Sequence, residues 1–286
     1  MILAAGKGTR MKSVIPKVLH RVAGLPMIEH VLRSAAQLSP VTTTVVVGHE
    51  ADLVSRSILK RPGLTFVVQE PQLGTAHALL MTAPTLVDGS GNVLLLSGDV
   101  PLLSAETLRR LLDRHTAADA AATVLTAFAQ EPRGYGRIVR EGEQIARIVE
   151  EKDATDTERA IKEINSGVYA FALDGLFDAV RGIAAENAQR EYYLPDLVAI
   201  YRKRGRVVET VAAANAAEIG GINSRLELAS VSRIVRDEKN RTLMLAGVTL
   251  DDPATTYIDP DVEIGVDTVI HPGVSIEGRS RIGAGC

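Results

Sequence analysis

The sequence predicts an α/β fold: a doubly wound sheet, then a connector helix, then a parallel β-coil. Three observations carry this. Strand-like and helix-like stretches alternate from Ile2 through Ala127. The first strand-like stretch runs into a glycine turn with two cations, Gly6-Lys7-Gly8-Thr9-Arg10. The tail has Ile258, Ile264, Ile270, Ile276 and Ile282 in strict six-residue spacing, the period of hexapeptide coils.

The elements follow in order. Ile2 and Leu3 open a short buried strand that ends at Gly6. Gly6 and Gly8 permit backbone angles closed to other residues, and successive N–H groups in such a turn make an anion site. Lys7 and Arg10 add charge, so a phosphate chain is the natural guest. Neither the P-loop nor the dinucleotide fingerprint fits this spacing, and on the glycines alone an ordinary strand-to-loop turn serves as well. Met27, Ile28, Val31, Leu32, Ala35 and Leu38 have a helical period. Thr43–Val47 is β-branched between Pro40 and Gly48, a strand. Glu50–Leu59 reads as a short helix, Leu64–Val68 as a strand and Ala76–Ala83 as a helix. Asn92–Ser97 is continuously apolar, as in a strand buried on both faces. Ser104 suits the cap of a helix to His115, and Ala121–Ala127 is a strand.

The texture then changes. Tyr135–Arg140, Gln144–Val149 and Val168–Leu173 read as strands joined by turns, a more antiparallel stretch. Tyr192–Lys203 reads as a helix, Arg206–Ala212 as a last sheet strand, and Ile222–Arg241 as the connector helix. In the tail, small or β-branched residues follow each isoleucine by four: Val262, Thr268, Val274, Ser280 and Cys286. Roughly three hexapeptides make a turn, so five give fewer than two turns.

Composition narrows the function. The chain has 286 residues and is 46% apolar, enough for one large domain or two smaller ones. A net charge of −3 gives no basic footprint for nucleic acid, so an anionic ligand must be held by local charge. The single cysteine, Cys286, leaves no internal disulfide and fits a cytoplasmic protein. The apolar start is too short for a signal peptide and no run approaches a membrane span.

Candidate site residues lie where strands end. Asp99, in Ser97-Gly98-Asp99-Val100-Pro101-Leu102, follows a buried strand; a carboxylate there suits Mg²⁺ beside a triphosphate, or simply a turn. Gln69 offers both a donor and an acceptor, suited to the edge of uracil, and Gly74 and Thr75 open the next helix with free N–H groups; on its own the stretch reads as a structural loop with a cap. Glu150 and Asn165 suit sugar hydroxyls, and Gly136 permits close backbone approach, though singly each reads equally as solvated surface. Asn223 reads on its own as a cap for the connector helix. His20, His30 and His77 lack metal-ligand partners in sequence and read as structural.

Leu3-Ala-Ala-Gly-Lys-Gly-Thr-Arg-Met11 followed by Pro16-Lys17-Val18-Leu19-His20 resembles the signature of the sugar-nucleotide pyrophosphorylases. Among these it is most similar to bacterial N-acetylglucosamine-1-phosphate uridylyltransferases, and the later motifs follow in the same order. The resemblance implies a nucleotide-diphospho-sugar transferase domain over residues 1–225, a connector helix over 226–246 and the start of a left-handed parallel β-helix over 247–286. It implies nucleotide contacts from Leu3, Ala4, Ala5, Gly6, Lys17, Gln69, Gly74, Thr75, Ser97, Gly98 and Asp99. It implies sugar contacts from Gly136, Glu150, Asn165 and Asn223, with Glu191-Tyr-Tyr-Leu-Pro-Asp196 bordering the sugar pocket. Mg²⁺ would sit on Asp99 and Asn223, Lys17 would neutralise phosphate charge, and Arg10 would cradle pyrophosphate.

The implied substrates are UTP and N-acetylglucosamine-1-phosphate, feeding cell-wall precursor synthesis, with no nucleic-acid or membrane partner. Two alternatives stay open: a related sugar-phosphate nucleotidyltransferase, and a non-catalytic nucleotide-binding relative. Ser97 and Ser166 depart from the family's common tyrosine and threonine. Family members also form homotrimers and transfer acetyl groups through a complete β-helix; so few repeats imply at most a weak trimer and no acetyl transfer.

Overall fold

The computed structural model describes residues 1–86 and 90–286. Its first half alternates as the apolar pattern predicts. In chain order it contains β1 (Ile2–Ala4), a hairpin of β2 (Arg21–Val22) and β3 (Leu25–Pro26), α1 (Met27–Ala36), β4 (Thr43–Val47), α2 (Ala51–Ser57) and β5 (Leu64–Val68). There follow α3 (Thr75–Leu80), α4 (Ala83–Leu86), β6 (Asn92–Ser97), α5 (Ala105–Ala117) and β7 (Ala122–Phe128). Ser104 caps α5, its side chain accepting from the Thr107 N–H.

The second half holds β8 (Arg137–Glu141), β9 (Gln144–Val149), α6 (Asp156–Arg159), β10 (Glu163–Ala172), α7 (Leu176–Val180), α8 (Asp196–Lys203) and β11 (Val208–Ala212). The main sheet has the order β11-β7-β10-β6-β1-β4-β5. Every neighbour pair on this path is parallel except those made by β10, which runs antiparallel between β6 and β7. The sheet is therefore mixed rather than purely parallel. The β8–β9 hairpin leaves it through β10, where Ile164 pairs with Arg137.

For β10 the sequence predicts a strand only over Val168–Leu173. It is one strand of ten residues with a register break between Asn165 and Tyr169. Side chains replace the lost ladder bonds there. Asn165 Oδ1 accepts from the Gly167 N–H at 3.1 Å, and Ser166 Oγ accepts from the Val168 N–H at 3.0 Å. Polar residues that read as a turn therefore sit inside a strand.

Two helix starts also differ from the sequence reading. α8 begins at Asp196 because Pro195 disfavours helix in the residue before it; Tyr192 instead stays extended and exchanges backbone bonds with Leu73 and Ala76. The connector is α9 (Arg225–Leu245), capped by Ser224 in a capping box with Glu227, so Asn223 is not its cap.

Both faces of the sheet are covered, and neighbouring strand residues divide between them. Leu95, Val124 and Phe171 face a core with Leu79, Leu197 and Tyr201. Leu96, Leu125 and Ala170 face one with Ile28, Leu32, Leu108 and Leu111. The isoleucine ladder forms β13 (Tyr257–Ile258) to β17 (Arg281–Ile282) after β12 (Thr249–Leu250), with β14 (Glu263–Ile264), β15 (Val269–Ile270) and β16 (Ser275–Ile276) between. β12 pairs with β15, β13 with β16 and β14 with β17, all parallel. Leu250 takes an isoleucine's place, so a sixth strand gives each of three sides two rungs, one strand more than the isoleucines alone give. Among the described residues no helix is long and apolar enough to cross a membrane.

Candidate active site

The carboxyl ends of β1 and β6 lie side by side, with Leu3 opposite Ser97 and the Gly98 N–H donating to Leu3 O at 2.9 Å. This edge faces the β8–β10 region across a cavity of about 230 Å³. Leu3, Thr75, Ser97, Asp99, Glu150, Asn165 and Asn223 line it, all of them predicted from sequence.

A chain crossover brings the polar groups together. The Ile222 N–H donates to Asp99 O at 3.0 Å, which carries Asn223 to the end of β6. Asn223 Nδ2 donates to Gly221 O at 3.1 Å, and this turns Oδ1 the other way. That oxygen accepts from Lys17 Nζ at 2.6 Å and from Arg10 at 2.8 Å. Lys17 Nζ also forms an ion pair with Asp99 Oδ2. A carboxylate and an amide oxygen, far apart in sequence, thus converge on one ammonium. Two hard oxygens meeting at a cation fit a divalent metal site. Among the described residues no cluster of three or more His, Cys, Asp or Glu could hold a metal unaided, so phosphate oxygens or water would have to complete the shell.

The glycine turn is built differently from the sequence reading. Gly8, not Gly6, has the left-handed backbone, with φ of 60° at the cap of a 3₁₀ turn over Thr9–Met11. A Cβ on Gly8 would lie 2.5 Å from Lys17 Cβ, so this glycine also lets the lysine stem pass. Gly6 is exposed and faces open space, with nothing within 4 Å of an added Cβ. Ala4 and Ala5 are buried.

At the other end of the cavity, Asn165 Oδ1 accepts from the Tyr169 hydroxyl at 3.0 Å. Burial, then the nearby charges of Asp153 and Asp196, push the Glu150 carboxyl above the usual range. Gly136 is buried beneath these groups, and an added Cβ would lie 3.1 Å from Glu150 Oε1. Its lack of a side chain thus serves packing under Glu150. Leu194 and Pro195 line the cavity as the bordering segment predicts.

The base-reading candidates lie to one side. Gln69 is buried at the end of β5, and its Nε2 donates to Gly74 O at 2.9 Å. Gly74 has φ of 108°, and a Cβ there would lie 2.6 Å from Tyr192 O. Thr75 Oγ1 accepts from the Leu194 N–H at 3.1 Å. Sequence reasoning assigned nothing to Tyr135 or Tyr169, both of which line the cavity. Tyr169 stands four residues after Asn165, on the same face of a strand once β10 is continuous; that was the available signal.

The family model of the MobA-like NTP transferase domain matches residues 1–193. The chain belongs to this family. The matched span carries Gly8, Lys17, Asp99, Glu150 and Asn165, and the MobA-like domain is joined to α9 and the coil beyond it. Among curated relatives, the protein named bifunctional protein GlmU from Syntrophotalea carbinolica is 51% identical over all of this chain and 61% of its own length. The protein of the same name from an Exiguobacterium species is 48% identical over all of this chain and 63% of its own. The chain thus spans about three fifths of the curated relatives it matches. A solved UDP-glucose pyrophosphorylase complexed with UDP-glucose superposes with a TM-score of 0.68, covering 83% of this chain and 97% of that one. At 17% identity it is a likeness of fold.

Proposed function

We propose that residues 1–225 transfer UMP from UTP to N-acetylglucosamine-1-phosphate, giving UDP-N-acetylglucosamine and pyrophosphate. One observation carries the reading. Asp99 and Asn223, with Lys17 and Arg10 bonded to them, gather metal- and phosphate-binding groups at one end of the cavity, and Glu150 and Asn165 present hydroxyl-binding groups at the other. The resemblance to proteins named bifunctional protein GlmU supports the choice of substrates.

In the reaction a phosphate oxygen of the sugar phosphate attacks the α-phosphorus of UTP. The bond from that phosphorus to the pyrophosphate oxygen breaks, and no covalent enzyme intermediate is needed. Catalysis is then positioning and charge stabilisation. Mg²⁺ would be held by Asp99 and Asn223 and, when bound, supplies charge neutralisation at phosphate oxygens. Lys17 turns its ammonium from Asp99 to the phosphates, and Arg10 with the glycine-turn amides holds the leaving pyrophosphate. Gly6 leaves room for the triphosphate to approach the main chain. Gln69 reads the base beside Gly74 and Thr75. Ionised Glu150 accepts from a sugar hydroxyl, and Asn165 fixes the ring.

The reading also takes the protein as cytoplasmic, which the lone Cys286 supports, and without nucleic-acid partners, which the net charge of −3 supports. It is confined to nucleotidyl transfer by residues 1–225. The test is pyrophosphate release from UTP and N-acetylglucosamine-1-phosphate, with and without Mg²⁺. Release only when both substrates and the metal are present is expected; no release with any sugar phosphate and nucleoside triphosphate would favour a non-catalytic binding protein.

A further inference from the structure

Gln69 is held by two acceptors at once. Its Nε2 donates to Gly74 O at 2.9 Å and lies 3.2 Å from Nδ1 of His77. Gly74 O can only accept, so the nitrogen of the amide must face it. Its second N–H then meets His77 Nδ1, which accepts when the ring proton is on Nε2. Both partners are fixed in space. Gly74 O also takes the Ala78 N–H at 3.1 Å, and His77 stands in the first turn of α3. Main-chain pairing to Val47 O at 2.7 Å anchors the glutamine itself. Turning the amide over would set Oε1 against Gly74 O. The atom left to meet a ligand is therefore Oε1, a pure acceptor.

We propose that His77 is a specificity-positioning residue, which through Gln69 makes the base site select a pyrimidine with N–H at ring position 3. This deepens the uridylyl-transfer reading and rests on it. Uracil carries a donor at that position, whereas cytosine carries a lone pair there and would face Oε1 acceptor to acceptor. A site whose buried polar group is left unpaired rejects an analogue strongly. Without the His77 lone pair one N–H of Gln69 loses its partner. Only Gly74 O then opposes the turn of the amide that would offer its NH₂ to cytosine.

The experiment compares kcat/KM for UTP and for CTP in the wild-type chain, His77→Leu and His77→Asn. Leucine is near histidine in volume and has no acceptor; asparagine keeps one near the position of Nδ1. Each ratio is taken on one preparation, so the fraction of folded enzyme cancels. The wild type is expected to prefer UTP. His77→Leu should lower the UTP:CTP ratio about tenfold, about 1.4 kcal/mol. His77→Asn should keep most of the preference, and KM for the sugar phosphate should stay unchanged in both variants. A wild-type preference that His77→Leu leaves intact, or that His77→Asn loses as fully as His77→Leu, overturns the assignment alone. Equal use of UTP and CTP by the wild type overturns it together with the uridylyl-transfer reading.

Discussion

Ser97 Oγ donates to Asp99 Oδ1 at 2.6 Å, while Asp99 Oδ2 carries the Lys17 ammonium. The carboxylate is held from both sides, and the serine decides which oxygen remains for another cation. A hydrogen bond to a charged group is worth about 1.5–3 kcal/mol when both partners are well desolvated, and this one is only part-buried. Ser97→Ala should therefore weaken Mn²⁺ binding by a factor of roughly three to ten, below that scale because of the exposure. Ser97→Thr, which keeps the hydroxyl, should restore it. Direct metal titration followed by electron paramagnetic resonance reads this without turnover, and equal affinities for Ser97→Ala and wild type would show the bond does not position the carboxylate.

Asp99→Asn should abolish turnover and leave the fold intact. The side chain sits at the end of β6 on the cavity wall, where its shape is kept and its charge lost. Circular dichroism and melting temperature should match wild type. Near-normal rates at low Mg²⁺ would remove Asp99 from the metal site.

Lys17→Ala should slow turnover by roughly 10²- to 10³-fold, the scale for removing one preorganised stabilising group. The lysine stem runs beside Gly8, and its ammonium reaches both Asp99 and Asn223. Loss of stability with an unchanged rate per folded molecule would make it a structural lysine.

Glu150 predicts a pH dependence. Burial and the charges of Asp153 and Asp196 raise its pKa, so it takes up a proton at a pH where an ordinary carboxylate is still ionised. The neutral acid is a weaker acceptor for a sugar hydroxyl. KM for the sugar phosphate should rise as pH falls through this raised value. Asp153→Asn should move that limb to lower pH; the substrate's own phosphate titration is common to both proteins and cancels. The sign for folding is the reverse. The folded state binds this proton more tightly than the unfolded chain, so ionised Glu150 costs stability above its folded pKa, and the cost disappears below the unfolded value.

Much of the site was legible because its residues stand at strand ends, where type and position are both informative. Asp99 follows an unbroken apolar strand, and Lys17 follows a proline beside the glycine turn. What sequence could not give was pairing. Nothing local says that Ile222 bonds to Asp99, so Asn223 reads as a cap until Ser224 is seen to have that role. Only the later part of β10 was legible because Asn165 and Ser166 make turn-like side-chain bonds inside a strand. The His77–Gln69 contact was not legible because a loop that returns on itself separates the two residues. The sixth coil strand was missed because Leu250 stands outside the isoleucine period.

The coil is tied to the MobA-like domain by one pair of residues whose loss should be visible. Arg33 on α1 donates to both oxygens of Asp261, at 2.5 and 2.8 Å, while its Nε reaches Glu29 Oε1 at 3.1 Å. Two parallel N–H···O bonds fix orientation as well as distance. Asp261 lies between β13 and β14, beside buried Val262, so the pair holds the first turn of the coil against α1. Arg33→Ala should raise amide exchange across residues 257–264 and lower the melting temperature, by an amount corresponding to about 1–3 kcal/mol for charged hydrogen bonds with partial exposure. The Arg33 guanidinium holds the Asp261 carboxyl below its ordinary range. This contribution is therefore fully present above the unfolded-state carboxylate pKa and is lost as pH falls through the lower folded value. Wild type and Arg33→Ala should differ most at neutral pH and converge in acid. UTP turnover should be nearly unchanged, because Arg33 is not among the residues lining the active-site cavity. A stability difference that persisted below both pKa values would mean that Arg33 acts through packing or through Glu29 rather than through Asp261.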